Sequence, residues 1–381
     1  MKTTLGEIFE IGSGGTPSKT KPEYYGGDIP WVKTGDLKEE YLYSVEDYIT
    51  EGGLNNSSAK MYEPGTVLIA MYGATIGATS ILKFNACTNQ ACAAFKPCKD
   101  VMPEYLYYFL KSKKHKFISD GVGGAQPNIS AGYLKKVAFD VLPLREQERV
   151  ITVLDKANHI LIERQHEMAE LDKLIKARFV EMFGDPENNE KQWKMNEFGD
   201  ICTVRQGLQI PISKRLTEYE DDCYEYITVQ YLHGGKEREY IKSPKPTVIC
   251  TKDDILMTRT GNTGMVITNV DGVFHNNFFL IDFDRTKYDK DFLVNYLNLD
   301  IIQADIIRRA GTSTIPDLNH GEFYKIKVYE PPIDLQKEFC LFTKQVDKSK
   351  FVVQACLFEF FCCIFKYNNC THLIHFTLNN K

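Results

Sequence analysis

The sequence lacks the features that would assign it to a membrane, secreted or metal-ribbon class of protein. No apolar run in its 381 residues approaches the roughly 20 residues that span a membrane, and the longest, from Ala355 to Phe365, is interrupted by Glu359. The 11 cysteines include no Cys-x-x-Cys pair, which argues against a zinc ribbon or a thioredoxin-like site. The first residues contain no apolar stretch that would form a secretory signal. We therefore expect a cytoplasmic protein with reduced thiols and no membrane partner.

Net basic charge is missing as well. The chain has 46 Lys and Arg against 51 Asp and Glu, which gives a net charge of −5. A simple electrostatic nucleic-acid binder would be basic, so composition alone does not indicate one. The charge is unevenly distributed, because residues 1–144 contain 15 lysines and no arginine, several of them between Lys111 and Lys116. Local basic patches remain possible on this evidence.

No group of side chains has the spacing of a catalytic site. The glycine-rich residues 12–17 lack the Gly-Lys-Ser/Thr ending of a phosphate loop, which favours a turn where two backbones approach closely. Glu330, before two prolines, has the wrong chemistry for the loop with which amino-methyltransferases hold a base. The 8 histidines include no His-x-x-x-His pair. We therefore expect no catalytic residue, no metal site and no enzyme activity of the chain by itself.

The chain contains an internal repeat, with offsets between 187 and 195 residues. The matches keep their order along the whole unit, which indicates a tandem duplication. The matched segments are Leu5–Ile8 with Phe198–Ile201, Trp31–Thr34 with Tyr226–Val229, Pro64–Ile69 with Asp254–Met257, Asn89-Gln90 with Asn276-Asn277, Tyr105-Leu106 with Phe292-Leu293, Gly124–Ile129 with Ser313–Leu318, and Pro143, Leu144 and Gln147 with Pro332, Ile333 and Gln336.

Each repeat is predicted to be a mixed α+β domain followed by a long helix. The short apolar run from Val67 to Tyr72, set between Pro-Gly and Gly, favours a buried strand. Residues Tyr105 to Lys111 favour a helix, and the alternating residues Val137 to Val141 favour another strand.

The segment from Arg145 to Phe183 contains neither proline nor glycine and is followed by Gly184, which predicts one long helix. An imperfect heptad pattern and a length of roughly 55–60 Å favour a partner helix over the alternative, a helix lying on its own domain. The second repeat also ends in a helical pattern, so we expect an antiparallel coiled coil. The predicted pairing and docking residues are Leu154, Leu161, Met168, Leu171, Ile175, Met182, Phe339, Phe342 and Val346.

The sequence changes character near the C-terminus. From Ala355 to Lys381 it has one acidic residue, two lysines, four cysteines and many aromatics, with no helical period. We therefore predict that the second helix ends near Gln354 and that an aberrant tail follows, as expected of out-of-frame coding sequence fused to an intact chain. The alternative is an unusual hydrophobic C-terminal tail.

Amide and basic side chains in the predicted loops differ between the two repeats. Asn and Gln can bond adenine edges, and Arg and Lys can bond guanine or phosphate, so these residues are candidate DNA contacts. Each of them alone is more often a solvated loop residue, and the indication comes from the set. The candidates are Lys19, Lys21, Lys33, Tyr72, Asn89, Gln90, Gln126 and Asn128 in the first repeat, and Arg205, Gln206, Gln209, Lys214, Arg215, Gln230, Arg259, Asn262, Asn276, Asn277, Arg308 and Arg309 in the second.

The order and duplication of short motifs resemble the specificity (S) subunits of type I restriction–modification systems. These motifs are Gly-Gly-Thr-Pro-Ser at 14–18, Pro-Gly-Thr-Val-Leu-Ile at 64–69, Gln-Pro-Asn-Ile at 126–129 and Pro-Leu-x-Glu-Gln-Glu at 143–148. The resemblance covers residues 1 to about 354. It implies two target recognition domains in tandem, each reading one half of a split double-stranded DNA target, with helices that space them.

The resemblance also implies the partners. In such systems the helices dock modification (M) subunits, which bind S-adenosylmethionine and methylate adenine. The restriction (R) subunits use ATP and magnesium, translocate DNA and cleave it. This chain is then expected to hold no cofactor and to do no chemistry.

The predicted divisions are a first recognition domain at 1–144, a central spacer helix at 145–184, a second recognition domain at 185–333, a shortened second helix at 334–354 and the aberrant tail at 355–381. A shortened helix favours the alternative that this is a truncated or phase-variant S subunit with impaired assembly. The sequence also leaves open a protein–protein scaffold that uses the helices alone and, with less support, a nuclease or methyltransferase in its own right.

Overall fold

The computed structural model describes residues 2–121, 128–232, 238–311 and 316–367, and of residues 352–367 it describes the backbone alone. The chain forms two compact units. The first comprises Met1–Glu163 with the stretch from Leu357, and the second comprises Arg164–Cys356. The boundary between the units lies inside the long helix that the sequence predicted as a separate spacer.

The first domain contains two mixed sheets and a two-stranded ribbon. Its described strands are β1 (Lys2–Thr4), β2 (Ile11–Ser13), β3 (Tyr25–Val32), β4 (Tyr41–Leu42), β5 (Tyr48–Ile49), β6 (Met61–Tyr62), β7 (Val67–Ala70), β8 (Thr79–Leu82), β9 (Ala86–Thr88), β10 (Cys92–Phe95) and β11 (Ala138–Asp140). The five-stranded sheet has the order β2-β10-β7-β8-β4, the four-stranded sheet has the order β5-β3-β9-β6, and β1 pairs with β11. Strands β3 and β9, like β4 and β8, run parallel.

The central strand β7 explains why the sequence shows an unbroken apolar run there. All four of its side chains are buried. Val67 and Ile69 contribute to one core cluster, whereas Leu68 and Ala70 contribute to another on the opposite face. A strand that is covered on both faces needs apolar side chains at every position.

The described helices of the first domain are α1 (Leu5–Ile8), α2 (Glu51–Asn55), α3 (Pro103–Ser112), α4 (Lys114–Ser119), α5 (Ala131–Lys135) and α6 (Leu144–Phe183). Helices α3 and α5 pack on one face of the larger sheet, whereas α2 packs against the smaller sheet. Helix α3 begins at Pro103, whose fixed φ angle suits the first helical position. Its buried side chains include Leu106, Phe109 and Leu110, which join the same core cluster as Val67 and Ile69.

The second domain repeats the strand order of the first, except that no strand among its described residues corresponds to β4. Its described strands are β12 (Lys194–Glu197), β13 (Cys202–Gln206), β14 (Cys223–Ile227), β15 (Tyr240–Lys242), β16 (Ile249–Cys250), β17 (Ile255–Thr258), β18 (Val266–Ile267), β19 (Gly272–Phe274), β20 (Phe278–Phe283) and β21 (Lys327–Glu330). The sheets have the orders β13-β20-β17-β18 and β15-β14-β19-β16, and β12 pairs with β21. Strands β14 and β19 run parallel, as β3 and β9 do in the first domain.

The described helices of the second domain are α7 (Phe198–Ile201), α8 (Val229–Leu232), α9 (Lys290–Leu297), α10 (Asp300–Ala310), α11 (His320–Tyr324) and α12 (Ile333–Tyr367). They occur in the same order as those of the first domain, except that α8 follows β14 directly whereas α2 comes after β5. Single hydrogen bonds recur as well. The Leu5 amide donates to Val137 O at 3.0 Å, and the Phe198 amide donates to Ile326 O at 2.9 Å. The predicted duplication and the mixed α+β class are therefore confirmed.

A buried glutamine anchors the start of each long helix. Gln147 Nε2 donates to Asp100 O and Leu142 O, both at 2.8 Å, while its Oε1 accepts from the Met102 amide at 2.8 Å. Gln336 makes the same three kinds of bond in the second domain. Both side chains are fully buried. The repeated Pro-x-x-x-Gln spacing is therefore structural, since one amide satisfies three backbone groups that would otherwise be buried without partners.

Helix α6 packs with its two ends on different cores. Ile151, in its first half, belongs to the core of the first domain, and Tyr108 donates a hydrogen bond to Asp155 at 2.6 Å. Phe179 and Phe183, near its C-terminal end, belong to the core of the second domain. The helix has 40 residues and a length of about 60 Å, as the absence of proline and glycine predicted.

The C-terminal half of α6 pairs with α12 in antiparallel orientation. Phe183 and Phe339 have ring centroids 5.5 Å apart, and the Arg178 guanidinium lies 5.8 Å from the Phe342 ring. Further along, Lys350 donates to a carboxylate oxygen of Asp172 at 2.5 Å. Residue numbers in these pairs fall along α6 as they rise along α12, which confirms the predicted antiparallel packing. The buried Phe339 and Val346 lie on this face, as predicted.

The predicted heptad pattern identifies the packed face of α6 only in part. Of the predicted positions on α6, Ile175 is buried, whereas Leu154, Leu161, Met168, Leu171 and Met182 are half-buried. The fully buried aromatic residues Phe179 and Phe183 were missed. They follow Ile175 at a spacing of four, because this face packs into a domain core as well as against a helix, so a strict spacing of seven is not required.

The second helix is longer than the sequence analysis predicted. Its backbone is helical from Ile333 to Tyr367, which is 35 residues rather than the predicted 21 up to residue 354. No proline or glycine follows Pro332, so no residue type in the tail stops a helix. The prediction that α12 ends near Gln354 is therefore wrong, although the change in composition at this point is real.

Two expectations about protein class can be compared with the structure. Within the described residues, every helix is too short or too polar to cross a membrane. The cysteines whose side chains are described are free thiols, namely Cys87, Cys92, Cys98, Cys202, Cys223, Cys250 and Cys340.

Candidate nucleic-acid interface

In the first domain, two loops meet beyond the end of the central strand β7. Tyr72 forms an isolated bridge with Asn128, and the Ile129 amide donates to Met71 O at 3.0 Å. Tyr72 is 43% exposed and Asn128 is exposed. The two predicted contact residues are therefore brought together on an accessible edge of the domain.

The second domain repeats this meeting of loops with different side chains. Thr260 bridges Asp317, and the Leu318 amide donates to Arg259 O at 2.9 Å. These are the same backbone bonds as in the first domain, so they define which positions correspond. The equivalent pairs are Met71 with Arg259, Tyr72 with Thr260, and Asn128 with Asp317.

A third loop approaches each cluster so closely that it requires glycine. A Cβ atom on Gly14 would lie 1.7 Å from Thr88 O, and one on Gly207 would lie 2.2 Å from His275 O. Such distances are far below van der Waals contact, so no other residue fits without a backbone shift. The glycine-rich motif is a backbone-approach loop, as predicted.

The structure corrects the predicted match of Asn89-Gln90 with Asn276-Asn277 by one residue. Asn89 Oδ1 accepts a hydrogen bond from the Ala91 amide at 3.1 Å. In the second domain His275 Nδ1 accepts from the Asn277 amide at 3.1 Å, in the same turn. Asn89 therefore corresponds to His275. The sequence comparison aligns these residues because both pairs contain side-chain amides. The structure shows that the turn instead needs a side-chain acceptor, which Asn89 supplies in one domain and His275 in the other.

The second domain holds Arg259 in a network of polar side chains. Arg259 donates through Nε and Nη2 to the two carboxylate oxygens of Asp317, at 2.9 and 2.7 Å. Gln206 Oε1 lies 3.4 Å from Arg259 Nη1 and 2.8 Å from His320 Nε2. The bond from Arg259 lowers the pKa of the Asp317 carboxyl, which stays ionised at neutral pH. Sequence reasoning missed Asp317 and His320, because neither residue type suggests a partner 58 or 114 positions away.

The predicted cations of the first domain are held more loosely. Lys33 pairs with Asp47 and lies 5.7 Å from the Trp31 ring. Lys21 donates to the hydroxyl of Tyr24 at 3.0 Å.

Gln90 and Lys19 complete the described candidates of the first domain. Gln90 accepts a hydrogen bond from the Thr16 hydroxyl, which ties it to the glycine-rich loop. Lys19 is exposed in the turn that follows this loop. Gln126 lies outside the described residues.

The predicted contacts leave out a lysine group that lies beside these loops. It comprises Lys113, Lys114 and Lys116, at the junction of α3 and α4. A Cβ atom on Gly77 would lie 2.8 Å from Lys114 Cγ, so this junction packs against the loop that follows Tyr72. Lys116 lies 3.6 Å from Asp120. The run Lys-Ser-Lys-Lys-His-Lys was the available signal.

Comparison with known families identifies the repeated unit. The model of the type I restriction modification DNA specificity domain matches residues 1–172 and again residues 190–352. The two matches follow the structural duplication and cover most of the chain. The chain belongs to this family.

The chain is also similar to proteins that are named as specificity subunits of type I restriction enzymes. The chain is 31% identical over 249 residues to the type I restriction enzyme MjaIX specificity subunit of Methanocaldococcus jannaschii, a segment covering 60% of this chain and 57% of that protein. It is 22% identical over 361 residues to the EcoprrI specificity subunit of Escherichia coli, covering 87% and 84% of the two chains. The resemblance inferred from the motifs is confirmed.

Solved structures support the fold of the specificity domains. The S subunit of a type I restriction–modification system from M. genitalium matches with a TM-score of 0.52 and 17% identity, over 98% of this chain and 95% of that one. A chain from a study of complex assembly in the type I R-M system matches with a TM-score of 0.55 and 14% identity, over 94% and 93%. At these identities the likeness concerns the fold alone.

Arg215 was a predicted DNA contact, but its side chain lies largely buried within the second specificity domain. Its side chain is 12% exposed and pairs with Glu239 at 3.0 Å, and it also donates to Ile210 O at 2.9 and 2.6 Å. The guanidinium lies 4.9 Å from the Tyr226 ring. Its donors are used inside the second specificity domain, which supports a packing role rather than the predicted DNA contact.

Arg308 and Arg309 form ion pairs at the end of α10. Both donate to Asp305, and Arg309 also lies 3.4 Å from Glu322. Arg309 is only 18% exposed, whereas Arg308 is 70% exposed. The neighbouring carboxylates offset both charges, and of the two side chains only that of Arg308 is open to solvent.

The remaining candidates of the second specificity domain differ in exposure. Arg205 donates to Thr247 O at 3.2 Å, while its buried Nε has no partner among the described residues. The buried Oδ1 atom of Asn276 also lacks a partner within this part of the chain, and Asn277 is half-buried. The exposed candidates are Gln209, Lys214, Gln230 and Asn262.

One group of side chains has the spacing of a metal site, in contrast to the expectation of none. The oxygen and sulfur atoms of Asp289, Asp291 and Cys340 lie within 4.8 Å of one another. Cys340 Sγ donates to Asp289 Oδ1 at 2.9 Å, and burial raises the pKa of this thiol. Asp289 also caps helix α9 by accepting from the Asp291 amide. A neutral thiol and a capping carboxylate explain this arrangement without an ion.

Proposed function

We propose that this chain is the DNA-specificity subunit of a type I restriction–modification complex, and that each specificity domain reads one half of a bipartite double-stranded target. The observation that carries the proposal is the repeated meeting of loops beyond β7 and β17. The backbone bonds there are the same in both domains, while the side chains differ. A framework of this kind presents two unlike recognition surfaces on one fold.

The long helices are proposed to dock modification subunits. Within the second unit, the paired part of α6 and α12 leaves apolar side chains open to solvent. Leu174 and Val180 are 48% and 44% exposed, and Leu341 and Phe351 are 64% and 72% exposed. Apolar side chains left open to solvent along two paired helices favour a protein partner at that surface. Half-buried positions of the predicted seam, such as Met168, would contribute to the same surface.

In this proposal the chain itself does no chemistry. The M subunits would supply S-adenosylmethionine and methylate adenine, and the R subunits would supply ATP, magnesium and cleavage. The complex would act on DNA in the cytoplasm. The near-neutral charge of the chain is compatible with this role if the M subunits supply much of the phosphate contact.

The proposal is tested by methylation of a bipartite target by this chain assembled with its M subunits. The double variant Arg259→Ala, Asn262→Ala should change base preference in one half-site only. The matched variant Tyr72→Ala, Asn128→Ala should change the other half-site only. Equal changes in both halves from either variant would show that one domain does not correspond to one half-site.

Assembly is tested separately. Two features of the sequence favoured a phase-variant S subunit with impaired docking: a shortened second helix and the composition of the tail. Because α12 is continuous to Tyr367, the second helix is not shortened, and only the tail composition still favours this alternative. We expect two M subunits to co-purify with the chain, and a variant cut after residue 354 to bind them more weakly. Equal binding by both forms would mean that the extra helical turns have no part in docking.

A further inference from the structure

Arg259 is held in one orientation at the edge of the second domain. It follows strand β17 directly, and its carbonyl accepts from the Leu318 amide at 2.9 Å, so the backbone is fixed. Its guanidinium is held side-on by both oxygens of Asp317, at 2.9 and 2.7 Å. An arginine braced in this way loses little side-chain freedom when it binds a ligand.

The brace is itself supported. The Thr260–Asp317 bridge fixes the backbone of Asp317 beside that of Arg259. Gln206 Oε1 lies 3.4 Å from Arg259 Nη1, and Gln206 Nε2 donates to Phe278 O at 3.2 Å. His320 Nε2, at 2.8 Å from Gln206 Oε1, fixes the amide from the other side. The side chains around Arg259 therefore hold one another in place.

The outer edge of the guanidinium remains accessible. Asp317 accepts from Nε and Nη2, and the hydrogen bond from Nη1 to Gln206 Oε1 is long and therefore weak, at 3.4 Å. The terminal Nη1 and Nη2 protons form a second parallel pair that points away from the brace. The side chains of Arg259 and Asp317 are 29% and 45% exposed, and a Cβ atom on the neighbouring Gly261 would meet nothing within 4 Å. A ligand edge therefore has room to approach.

We propose that Arg259, braced by Asp317, reads a guanine in the half-site of the second domain. This inference rests on the proposed function and specifies the base class for one residue. Guanine presents two acceptors, O6 and N7, in the major groove, and these match two parallel N–H donors. Adenine has an amino group where guanine has O6, so an N–H of the arginine would face another N–H donor instead of an acceptor. Asp317 acts as a positioning residue and does not itself contact the base.

The first domain has no equivalent of this pair. Met71 and Asn128 occupy the positions of Arg259 and Asp317, as the shared backbone bonds show. Methionine offers no donor, so the guanine contact belongs to the second half-site alone. The substitution Arg259→Met should also be tolerated by the fold, because the first domain uses methionine at this position.

The test uses the assembled complex of this chain with M subunits and a DNA library in which both half-sites are randomised. The wild-type chain should prefer guanine at one position of the second half-site. Arg259→Met should lower that preference about tenfold to a hundredfold, and Arg259→Lys should do nearly as much, because lysine lacks the fork. Preferences in the first half-site should not change.

Asp317→Asn tests the brace. An asparagine keeps the size but offers one acceptor oxygen, so the guanine preference should fall several-fold at the same position and nowhere else. The matched control is Asp305→Asn, which removes the carboxylate paired with Arg308 and Arg309. We expect no change in base preference from the control. Thermal unfolding of each variant shows whether a lost base preference comes from an unfolded domain or from loss of the base contact itself.

The outcomes are distinct. If the wild-type chain reads two half-sites but Arg259→Met leaves every preference in the second one unchanged, the guanine assignment is wrong and the proposed function stands. If Asp317→Asn alone has no effect, the brace is not needed. If the wild-type complex shows no second half-site, the proposed function itself fails.

Discussion

The two specificity domains share a framework down to single hydrogen bonds, yet they carry different cations. Residues 1–144 contain 15 lysines and no arginine, whereas residues 185–333 contain 7 arginines among 18 basic residues. Apart from the edge strand β4, the described sheets of both domains have corresponding strand orders, and both domains have the same buried glutamine and the same loop bridge. The elements repeated here are therefore structural, and in the proposed function the recognition chemistry would lie in the side chains at the loop ends.

The kind of cation also matters. Lysine is a compact, strongly hydrated charge that suits phosphate, whereas arginine has a planar fork that suits a base edge or a carboxylate. Lys113 and Lys114 have no carboxylate within ion-pair distance among the described residues, and they sit beside the loop after Tyr72. Arg259 instead lies in a braced network. We infer that the first domain would bind DNA mainly through the phosphate backbone of the DNA. The second domain would bind it more through the edges of the DNA bases.

The largest expected effect tests whether the framework is truly shared. Gln147→Ala and Gln336→Ala should each lower the free energy of unfolding of their own domain by about 3–5 kcal/mol, because each leaves three backbone groups buried without partners. The two tryptophans, Trp31 and Trp193, report the two domains separately. Single-tryptophan variants followed by fluorescence in denaturant would measure each loss.

The exposed Gln345 on α12 supplies the control for this pair. Gln345→Ala should change the free energy of unfolding by less than about 0.5 kcal/mol. A large loss in one domain and a small loss in the other would break the equivalence that the shared hydrogen bonds indicate.

The next effect concerns salt. Replacing Lys113, Lys114 and Lys116 by alanine should weaken DNA binding equally for all sequences. The slope of log affinity against log salt concentration should fall in magnitude by about 2–3, since each phosphate contact contributes about 0.9. Titration of the complex on specific and random duplexes at several salt concentrations would measure this.

Arg308 is the matched cation in the second domain, because it is exposed but paired with Asp305. Arg308→Ala should change the salt slope by much less than one unit. A slope that stays the same in the lysine variant, or a loss confined to one DNA sequence, would contradict a phosphate role for the first domain.

Sequence reasoning predicted most of the framework because the framework is repeated. Order-preserving matches indicated two domains, and the run without proline or glycine predicted α6 within one residue at its start. The buried strand from Val67 was evident from its flanking turn residues. These features depend on local patterns that are close together in the chain, so they are visible without coordinates.

The sites were predicted less completely because their partners are distant in sequence. The sequence identified Arg259 as a candidate but not its partner Asp317, and it could not separate Arg259 from Arg215, which is committed to Glu239. Phe179 and Phe183 were missed because their burial comes from a domain core rather than from a helix partner alone. The end of α12 was misplaced because composition changed where the helix did not.

The smallest expected effect is a pH dependence confined to the second domain. Burial and the nearby Arg259 lower the pKa of His320, and burial and the nearby Arg215 lower that of His275. In the unfolded chain a histidine titrates at about 6.5, so as pH falls through that value the unfolded state binds more protons than the folded one. Stability contributed by these neutral imidazoles is therefore lost as pH falls below about 6.5.

The first domain has Asn89 and Ala131 at the equivalent positions, so its unfolding should respond less. Comparing the Trp193 and Trp31 transitions at pH 7 and pH 5.5 measures the difference. The double variant His275→Asn, His320→Ala gives the second domain the residues of the first and should flatten its pH response; an unchanged response would mean that carboxylates rather than these two rings govern it.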